Sequence, residues 1–326
     1  MVLAMHPTDQ PSSYSGLLRF TLPAERMDHN PDIYLDFKPG REKPYEEIWQ
    51  PLHSLREELE LDPCDPAAEP VQDQLSRRGF AVCHHQSPTL EQRGIDEQQT
   101  YGDFIRENAD LIKQLTGADR VIVWNTVRRD GSVKGGKLKD RQRVPHGLDG
   151  SKIDELDPEP PALFAHVDQD QSYGRKICNM AVAGSGIKEL CEDVSDPFLA
   201  IQTDLCKKFR RTMIVNIWRP VGGTVYTKPL TVADYRTLSL DQISVHESPF
   251  GCGMDLHHNL RTKWYFIPEQ KTSEVLLLKC YDSLQGADGS ALYGAHCAAS
   301  EVEGLDVPAS AKPRKSVEMR FVLVWQ

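Results

Sequence analysis

The second half of the chain consists mainly of short segments rich in Val, Ile, Phe, Tyr and Trp. Several are bounded by Pro, Gly or Asp, a pattern that is typical of β-strands separated by turns. The clearest segments are ALFAHVD, RTMIVNIWRP, TKWYFIP, SEVLLLKCYD and SVEMRFVLVW. The regular alternation of strands and helices that a doubly wound parallel sheet needs is missing. The chain is therefore predicted to be mainly β, as a sandwich or barrel with helices on one side.

One helix stands out in the first half of the chain. Apolar residues recur at helical spacing from Thr100 to Thr116, and Gly117 follows as a C-terminal stop. Residues 1–100 are predicted to form a loosely ordered N-terminal arm and extension. Within this arm we predict a strand at Leu17–Leu22, a short helix at Tyr45–Glu60 and a strand at Arg77–His85. We expect a single domain over 1–326, with the core in 100–326.

Charge and cysteine content narrow the classes of partner. The 326 residues carry a formal net charge of -10, which argues against general binding to nucleic acids or anionic membranes. Eight cysteines without a CxxC pair, and no signal peptide, indicate reduced thiols and a cytoplasmic protein. No apolar run is long enough to cross a membrane. We expect a small-molecule partner, and a homo-oligomer is possible but not indicated.

The segment from Arg128 to Gly150 contains seven Lys or Arg residues and five Gly residues and lacks apolar periodicity. A solvated surface loop is one interpretation. The other is a lid that closes over an anionic substrate or cosubstrate.

Two residues in the segment FAHVDQD are candidate metal ligands. His166 and Asp168 lie two apart on a predicted strand, so both side chains should project from the same face. Two histidines and one carboxylate leave three positions of an octahedral Fe(II) open, as a bidentate 2-oxo acid and O2 require. His296 is the predicted third ligand because it precedes an Arg-bearing strand; His246, His257 and His258 are the competing histidines.

The strand that follows His296 carries an Arg-X-Ser sequence in PRKSVEMRFVLVW. Arg314 and Ser316 would project from one face of this strand. A guanidinium fork and a hydroxyl can together bind a carboxylate such as the distal one of 2-oxoglutarate.

Several of these segments occur together in one known family. HVDQD, NIWRP, KWYFIPEQ, LLLKCYDS, the late His and PRKSVEMRFVLVW resemble the fungal and bacterial hydroxylase/desaturase family of 2-oxoglutarate-dependent oxygenases, which includes AsaB-like and CmcJ-like proteins. The resemblance runs from about Pro161 to Gln326. It implies a double-stranded β-helix (jelly-roll) core, Fe(II), 2-oxoglutarate and O2. The implied reaction is hydroxylation, desaturation or oxidative cyclisation of a small molecule in secondary metabolism.

The resemblance also implies roles for individual residues. It implies that His166, Asp168 and His296 bind the metal, and that Arg314, with Ser316 beside it, binds the carboxylate of 2-oxoglutarate. The spacing from His296 to Arg314 is longer than is usual in the wider superfamily, which leaves Arg320 as a rival for the carboxylate.

Five further residues are candidates for the site, each with a structural alternative. Tyr265 and Lys279 can reach 2-oxoglutarate from neighbouring strands, or they are a core aromatic and an edge lysine. Trp218, Arg219 and Tyr281 are candidates for substrate binding, or they pack and form structural ion pairs. An Arg219 clamp would suit a carboxylate-bearing substrate, such as an amino-acid-derived metabolite.

Two other functions compete with this prediction. A cupin-like metalloenzyme would use the same metal ligands without 2-oxoglutarate. A non-catalytic jelly-roll protein would keep the fold and bind a ligand without turnover.

Overall fold

The computed structural model describes residues 12–26, 44–59, 69–133, 158–187, 204–248, 251–284 and 289–326. Within these residues the chain forms two β-sheets and five α-helices. The helices are α1 (Leu55–Glu58), α2 (Val71–Arg78), α3 (Pro88–Arg93), α4 (Gln98–Thr116) and α5 (Gln171–Gly184). Short 3-10 turns lie at Ala24–Arg26, Leu205–Lys208, Tyr235–Thr237 and Leu240–Gln242. No helix among the described residues combines the length and apolar character that crossing a bilayer requires.

The larger sheet has nine strands, numbered here in chain order. From one edge to the other they are β13 (Val302–Glu303), β1 (Tyr14–Thr21), β2 (Tyr45–Ser54), β10 (Trp264–Phe266), β7 (Leu230–Ala233), β12 (His296–Ala298), β5 (His166–Val167), β9 (Gly251–Leu256) and β8 (Ile243–Ser248). The smaller sheet has five strands, in the order β3 (Phe80–His84), β11 (Glu274–Asp282), β6 (Arg211–Pro220), β14 (Lys315–Trp325) and β4 (Arg120–Asp130).

The two sheets pack face to face. Trp218 and Leu276 of the five-stranded sheet share one apolar cluster with Val232 and Tyr265 of the nine-stranded sheet. A mainly β fold with a jelly-roll core, as predicted, is confirmed. β5 and β12, which carry the two histidine candidates, are neighbouring strands of the nine-stranded layer.

Alternation along the strands of the five-stranded sheet separates its two faces. On β6 and β14, Val215, Ile217, Met319 and Phe321 pack on the outer face against α2 and α4. The residues that alternate with these, such as Trp218 on β6, project from the inner face toward the other sheet. This period of two decides which side chains can reach the site.

The helix predicted at Thr100–Thr116 is confirmed as α4, which begins two residues earlier, at Gln98. Phe104, Ile105 and Ile112 are fully buried against the outer face of the five-stranded sheet. Gly117 ends the helix with φ 64°, a left-handed conformation that glycine adopts without steric cost.

The short helix predicted over Tyr45–Glu60 is wrong for most of its length. Residues Tyr45–Ser54 form β2, and only Leu55–Glu58 are helical. β2 pairs with all eight residues of β1 in antiparallel register, from Tyr14 opposite Leu52 to Thr21 opposite Tyr45. Pairing with a strand thirty residues upstream outweighs the weak local preference for helix.

Two other predicted strands have different bounds in the structure. The strand predicted at Leu17–Leu22 is confirmed as β1 except for Leu22, and β1 begins three residues earlier, at Tyr14. The strand predicted at Arg77–His85 is shorter, because α2 continues to Arg78 and β3 begins at Phe80. Of the basic segment 128–150, the described part is the end of β4 and a turn as far as Val133; the remainder lies outside the described residues.

Candidate metal centre

Three side chains from distant parts of the chain meet between the sheets. His166 of β5 lies directly opposite His296 of β12 in antiparallel register, so both imidazoles project from the same face. The ring centroids are 4.4 Å apart. Asp168 follows β5, and its Oδ1 lies 3.7 Å from Nε2 of His166. The possible ligand atoms of all three residues lie within 4.8 Å of one another, a spacing that suits one metal ion.

Hydrogen bonds hold both imidazoles in the tautomer that a metal requires. Nδ1 of His166 lies 2.7 Å from the carbonyl oxygen of Phe164, and Nδ1 of His296 lies 3.1 Å from that of Gly294. A carbonyl oxygen can only accept, so each Nδ1 carries the proton and donates it. Each Nε2 keeps its lone pair and points toward the other ligands.

The electrostatic surroundings of the two rings differ. Burial, with the nearby His166, lowers the pKa of His296 to about 4, so this ring is neutral near pH 7. Burial also disfavours charge on His166, but the adjacent carboxylate of Asp168 outweighs it and raises the pKa.

The carboxylate of Asp168 is held by Arg320 of β14. Nε of Arg320 donates to Oδ2 at 2.9 Å and Nη2 donates to Oδ1 at 2.8 Å. The thiol of Cys280 donates to Oδ2 at 3.4 Å. Burial disfavours the ionised carboxylate, but the charge of Arg320 and the adjacent imidazoles of His166 and His296 keep the pKa of Asp168 well below its usual value. The carboxylate is thus ionised and oriented.

A second acid lies two residues before Arg320 on the same strand face. Glu318 accepts from Nε of Arg129 at 2.9 Å and from Nη2 of Arg320 at 3.2 Å. Burial raises the pKa of Glu318, but the two guanidinium groups outweigh it and lower the pKa to about 2. Nη1 of Arg129 also donates to Glu159 at 2.9 Å. Arg320 is therefore shared between two buried carboxylates.

Arg314 has a different environment, although it is also buried, with 3% of its surface exposed. Its Nη1 donates to the carbonyl oxygen of Lys228 at 2.6 Å, and its guanidinium lies 5.3 Å from the ring centroid of Trp218. Its Nε and the hydroxyl of Ser316 are buried without a hydrogen-bond partner. Burial lowers the pKa of Arg314 to about 9. Among the described residues, no carboxylate forms an ion pair with this guanidinium.

These observations test whether the implied cosubstrate fits. Two imidazoles and one carboxylate form a donor set that suits Fe(II) and leaves positions for other ligands. A buried guanidinium without a carboxylate partner, whose Nε is unpaired, and a buried hydroxyl without a partner are the groups that a carboxylate of 2-oxoglutarate would satisfy. The residues present therefore fit both the metal and the 2-oxo acid.

Arg219, a predicted substrate clamp, lies on the opposite face of β6 from Trp218. Its guanidinium donates to Nδ1 and the carbonyl oxygen of His85, to Oδ1 of Asn108 and to the carbonyl oxygen of Thr272. It also lies 5.5 Å from the ring centroid of Phe104, on the helix side of the sheet. The structure does not bring Arg219 to the metal-ligand candidates.

Lys279, a predicted 2-oxoglutarate ligand, is also engaged elsewhere. Its side chain is fully buried, and its Nζ lies 2.8 Å from Oδ2 of Asp282. Arg211 forms an ion pair with the same carboxylate. The structure therefore places Lys279 in a buried ion-pair group at the end of β11, and it does not support the cosubstrate role.

The two tyrosine candidates both pack in apolar clusters. The ring of Tyr265 lies tilted against those of His53 and Phe80, and burial raises the pKa of its hydroxyl to about 12. Tyr281 packs on α5, where Gly174 permits the contact; a Cβ there would come within 2.6 Å of the ring. Trp218, by contrast, lies on the inner face beside Arg314.

The other histidines are separate from the three candidates where their side chains are described. Nδ1 of His257 donates to the carbonyl oxygen of Thr21 at 2.7 Å. His258 hydrogen-bonds the side chain of Gln50 at 2.6 Å. The side chain of His246 lies outside the described residues.

Sequence reasoning missed Glu318 and Arg129 as residues of this site. The signal for Glu318 was present, because Ser316, Glu318 and Arg320 share one face of β14, whose other face is apolar.

Comparisons with known proteins agree with this geometry. The family model described as "Oxidoreductase/YMDC permease-like domain" matches residues 65–324. The Fe(II)/2-oxoglutarate-dependent dioxygenase nvfI of Aspergillus novofumigatus is 28% identical over 78% of this chain and 80% of its own length. The gibberellin cluster GA4 desaturase of Gibberella fujikuroi is 31% identical over 77% of this chain and 82% of its own.

The fold is also that of a solved structure. The iron and alpha-ketoglutarate-dependent endoperoxidase NvfI superimposes with a TM-score of 0.65 at 22% sequence identity, covering 96% of this chain and 98% of that one. The matched length, the jelly-roll core and the converging His, Asp and His side chains lead to one assignment. The chain belongs to the Fe(II)/2-oxoglutarate-dependent oxygenases, in the family that includes the fungal hydroxylase/desaturases.

Proposed function

We propose that His166, Asp168 and His296 bind Fe(II) and that Arg314 binds 2-oxoglutarate, so that a small molecule is oxidised between the two sheets. One observation carries this proposal. The three ligand candidates converge within 4.8 Å, while the buried guanidinium of Arg314 has no carboxylate partner among the described residues. A site built only for packing would have no reason to bury a cation in this way.

Each residue has a defined task in this reaction. When bound, Fe(II) with 2-oxoglutarate and O2 supplies the oxidant for an unactivated C–H bond. His166 and His296 would bind the metal through Nε2, and Asp168 through a carboxylate oxygen. Arg320 holds Asp168 ionised and oriented. Apolar residues on both sides of the site exclude water from the reaction.

For the distal carboxylate of 2-oxoglutarate we propose Arg314 over Arg320. Arg320 donates both arms of its fork to Asp168 and a further hydrogen bond to Glu318. Arg314 and Ser316 have unpartnered donors on the same strand face. A second anion at Arg320 would need to displace a buried carboxylate, which is costly.

The charged residues predicted at the site bear on the class of substrate. Arg219 and Lys279 contact other protein groups, so neither supports a carboxylate-bearing substrate. The basic segment 128–150, as a lid over an anionic molecule, is the remaining support, and most of it lies outside the described residues. Trp218 remains a candidate for contact with substrate because it lies on the inner face. Tyr281, the other predicted substrate contact, packs against α5.

A cytoplasmic enzyme without a nucleic-acid or membrane partner is part of the same proposal. The net charge of -10 supports it, because it disfavours binding to polyanions. Five described cysteines are free, as in a reducing compartment.

An anaerobic titration tests the proposal. Fe(II) and 2-oxoglutarate should together produce the weak visible metal-to-ligand absorption in the wild-type protein. Asp168→Ala and the milder Asp168→Asn should lose this band, whereas Asp241→Ala, at an exposed position, should keep it. A wild-type protein that binds Fe(II) without this band would favour a cupin-like enzyme, and one that binds neither would favour a non-catalytic protein.

A further inference from the structure

Asn216, on β6, buries a side-chain amide without a hydrogen-bond partner. The residue has 0% of its surface exposed, and neither Oδ1 nor Nδ2 finds a partner. An unpaired amide in an apolar interior is destabilising, and native proteins rarely keep one without a reason. An amide of this kind beside a reactive site is suited to bind a ligand.

The register of the sheet places Asn216 beside the metal-ligand candidates. It lies directly opposite Arg320 of β14, and opposite residues of neighbouring strands share a face. Arg320 holds Asp168 through two hydrogen bonds. The backbone N–H of Asn216 contacts the thiol of Cys280, and this thiol donates to Oδ2 of Asp168. Asn216 is thus linked to Asp168 from two directions.

The next inner-facing residue of β6 is Trp218, which lies near Arg314. Trp218 lies two residues after Asn216, and the guanidinium of Arg314 lies 5.3 Å from the centroid of its ring. Nε1 of Trp218, Nε of Arg314 and Oγ of Ser316 are also buried without partners. Along the inner face, Asn216 is opposite Arg320, Trp218 is opposite Glu318 and Ser316 is opposite Pro220, so unpartnered polar groups occur in three successive rows.

The spacing of these rows matches the cosubstrate. Two residues along a strand span about 7 Å. 2-Oxoglutarate carries a carboxylate at each end of a five-carbon chain, and its oxo group lies next to one of them. 2-Oxoglutarate is therefore long enough to reach from the row of Asn216 and Arg320 to the next row, where the ring of Trp218 has the guanidinium of Arg314 5.3 Å from its centroid.

We propose that Nδ2 of Asn216 donates a hydrogen bond to the carboxylate of 2-oxoglutarate that is adjacent to the oxo group, while Arg314 binds the distal carboxylate. This inference rests on the proposed function. Asn216 is then a cosubstrate-binding residue at the metal end of the 2-oxo acid, and it contributes no ligand atom to the metal.

Succinate distinguishes the contacts at the two ends of the cosubstrate. It keeps the distal carboxylate of 2-oxoglutarate but is one carbon shorter, so it lacks the carboxylate that is adjacent to the oxo group. Binding of 2-oxoglutarate and of succinate is measured anaerobically by calorimetry on protein loaded with Co(II). Asn216→Ala should weaken 2-oxoglutarate by about 10- to 100-fold, the effect expected for a hydrogen bond to a charged group, and leave succinate within about twofold. Arg314→Gln should weaken both ligands.

Two controls keep the test decisive. Asn216→Leu, of similar size and without a donor, should reproduce the loss, and the Co(II) affinity of both Asn216 variants should equal that of the wild type. Equal losses for the two ligands, or no loss for 2-oxoglutarate, would overturn the role of Asn216 and leave the proposed function intact. A wild-type protein that does not bind 2-oxoglutarate would overturn both.

Discussion

Arg320 and Asp168 form a buried two-point ion pair, with N–O distances of 2.9 and 2.8 Å, although 152 positions separate them in the chain. A bidentate guanidinium–carboxylate pair fixes the plane as well as the position of the carboxylate. Asp168 is thereby oriented toward the two imidazoles before any metal binds. Arg320 is therefore a positioning residue for the candidate carboxylate ligand.

Breaking this pair should destabilise the fold. Arg320→Gln leaves Asp168 buried without its cation and removes one of the two cations beside Glu318. We expect the free energy of unfolding of the metal-free protein to fall by about 3–5 kcal/mol. Urea denaturation measures this. Arg175→Gln, which breaks an exposed pair with Asp204, should cost at most about 1 kcal/mol. Equal losses in the two variants would contradict a buried pair.

Arg314 and Arg320 should differ in their effect on the cosubstrate. Arg314→Gln removes the buried guanidinium that has no carboxylate partner, so the half-saturating concentration of 2-oxoglutarate should rise by about 10- to 100-fold. Arg320→Gln should raise it much less. Turnover assays at varied 2-oxoglutarate measure both. The reverse order would move the distal carboxylate to Arg320.

Glu318 should make stability depend on acid pH. Its pKa in the folded protein, about 2, lies below the ordinary value of 4.5. Its contribution, on the order of 3 kcal/mol, is therefore present above pH 4.5 and lost as the pH falls toward 2. The difference in unfolding free energy between wild type and Glu318→Gln should therefore become smaller as the pH is lowered from about 6 to about 3. Glu303→Gln, at an exposed position, should show no such trend; a constant difference for Glu318→Gln would rule out the depressed pKa.

Two glycines with positive φ should respond differently to substitution. Gly79 joins α2 to β3 with φ 80°, and a Cβ there would collide with the carbonyl oxygen of Tyr293. Gly117 has φ 64° and open space around it. Gly117→Ala should cost roughly 1 kcal/mol from the backbone alone, and Gly79→Ala at least about 3 kcal/mol. Thermal unfolding ranks the two variants, and similar midpoints would contradict the collision.

The local sequence pattern was enough to predict those helices and strands that depend only on residues close together in the chain. The helix α4 follows from apolar spacing and from Gly117, both within one stretch of chain. Alternation along β6 places Trp218 and Arg219 on opposite faces. It did not say which face was inner, because that depends on α4 packing against one side of the sheet. The substrate role predicted for Arg219 had no support for the same reason.

The sequence alone determined the candidate metal ligands, a mainly β core and the presence of an Arg-X-Ser sequence on the last long strand. Tertiary structure decided the partners of the charges. Arg314 and Arg320 share one strand face, so no local pattern distinguishes them. Arg320 meets Asp168 because strand register and sheet packing bring them together, and a buried charge is stable only beside the partner that packing provides.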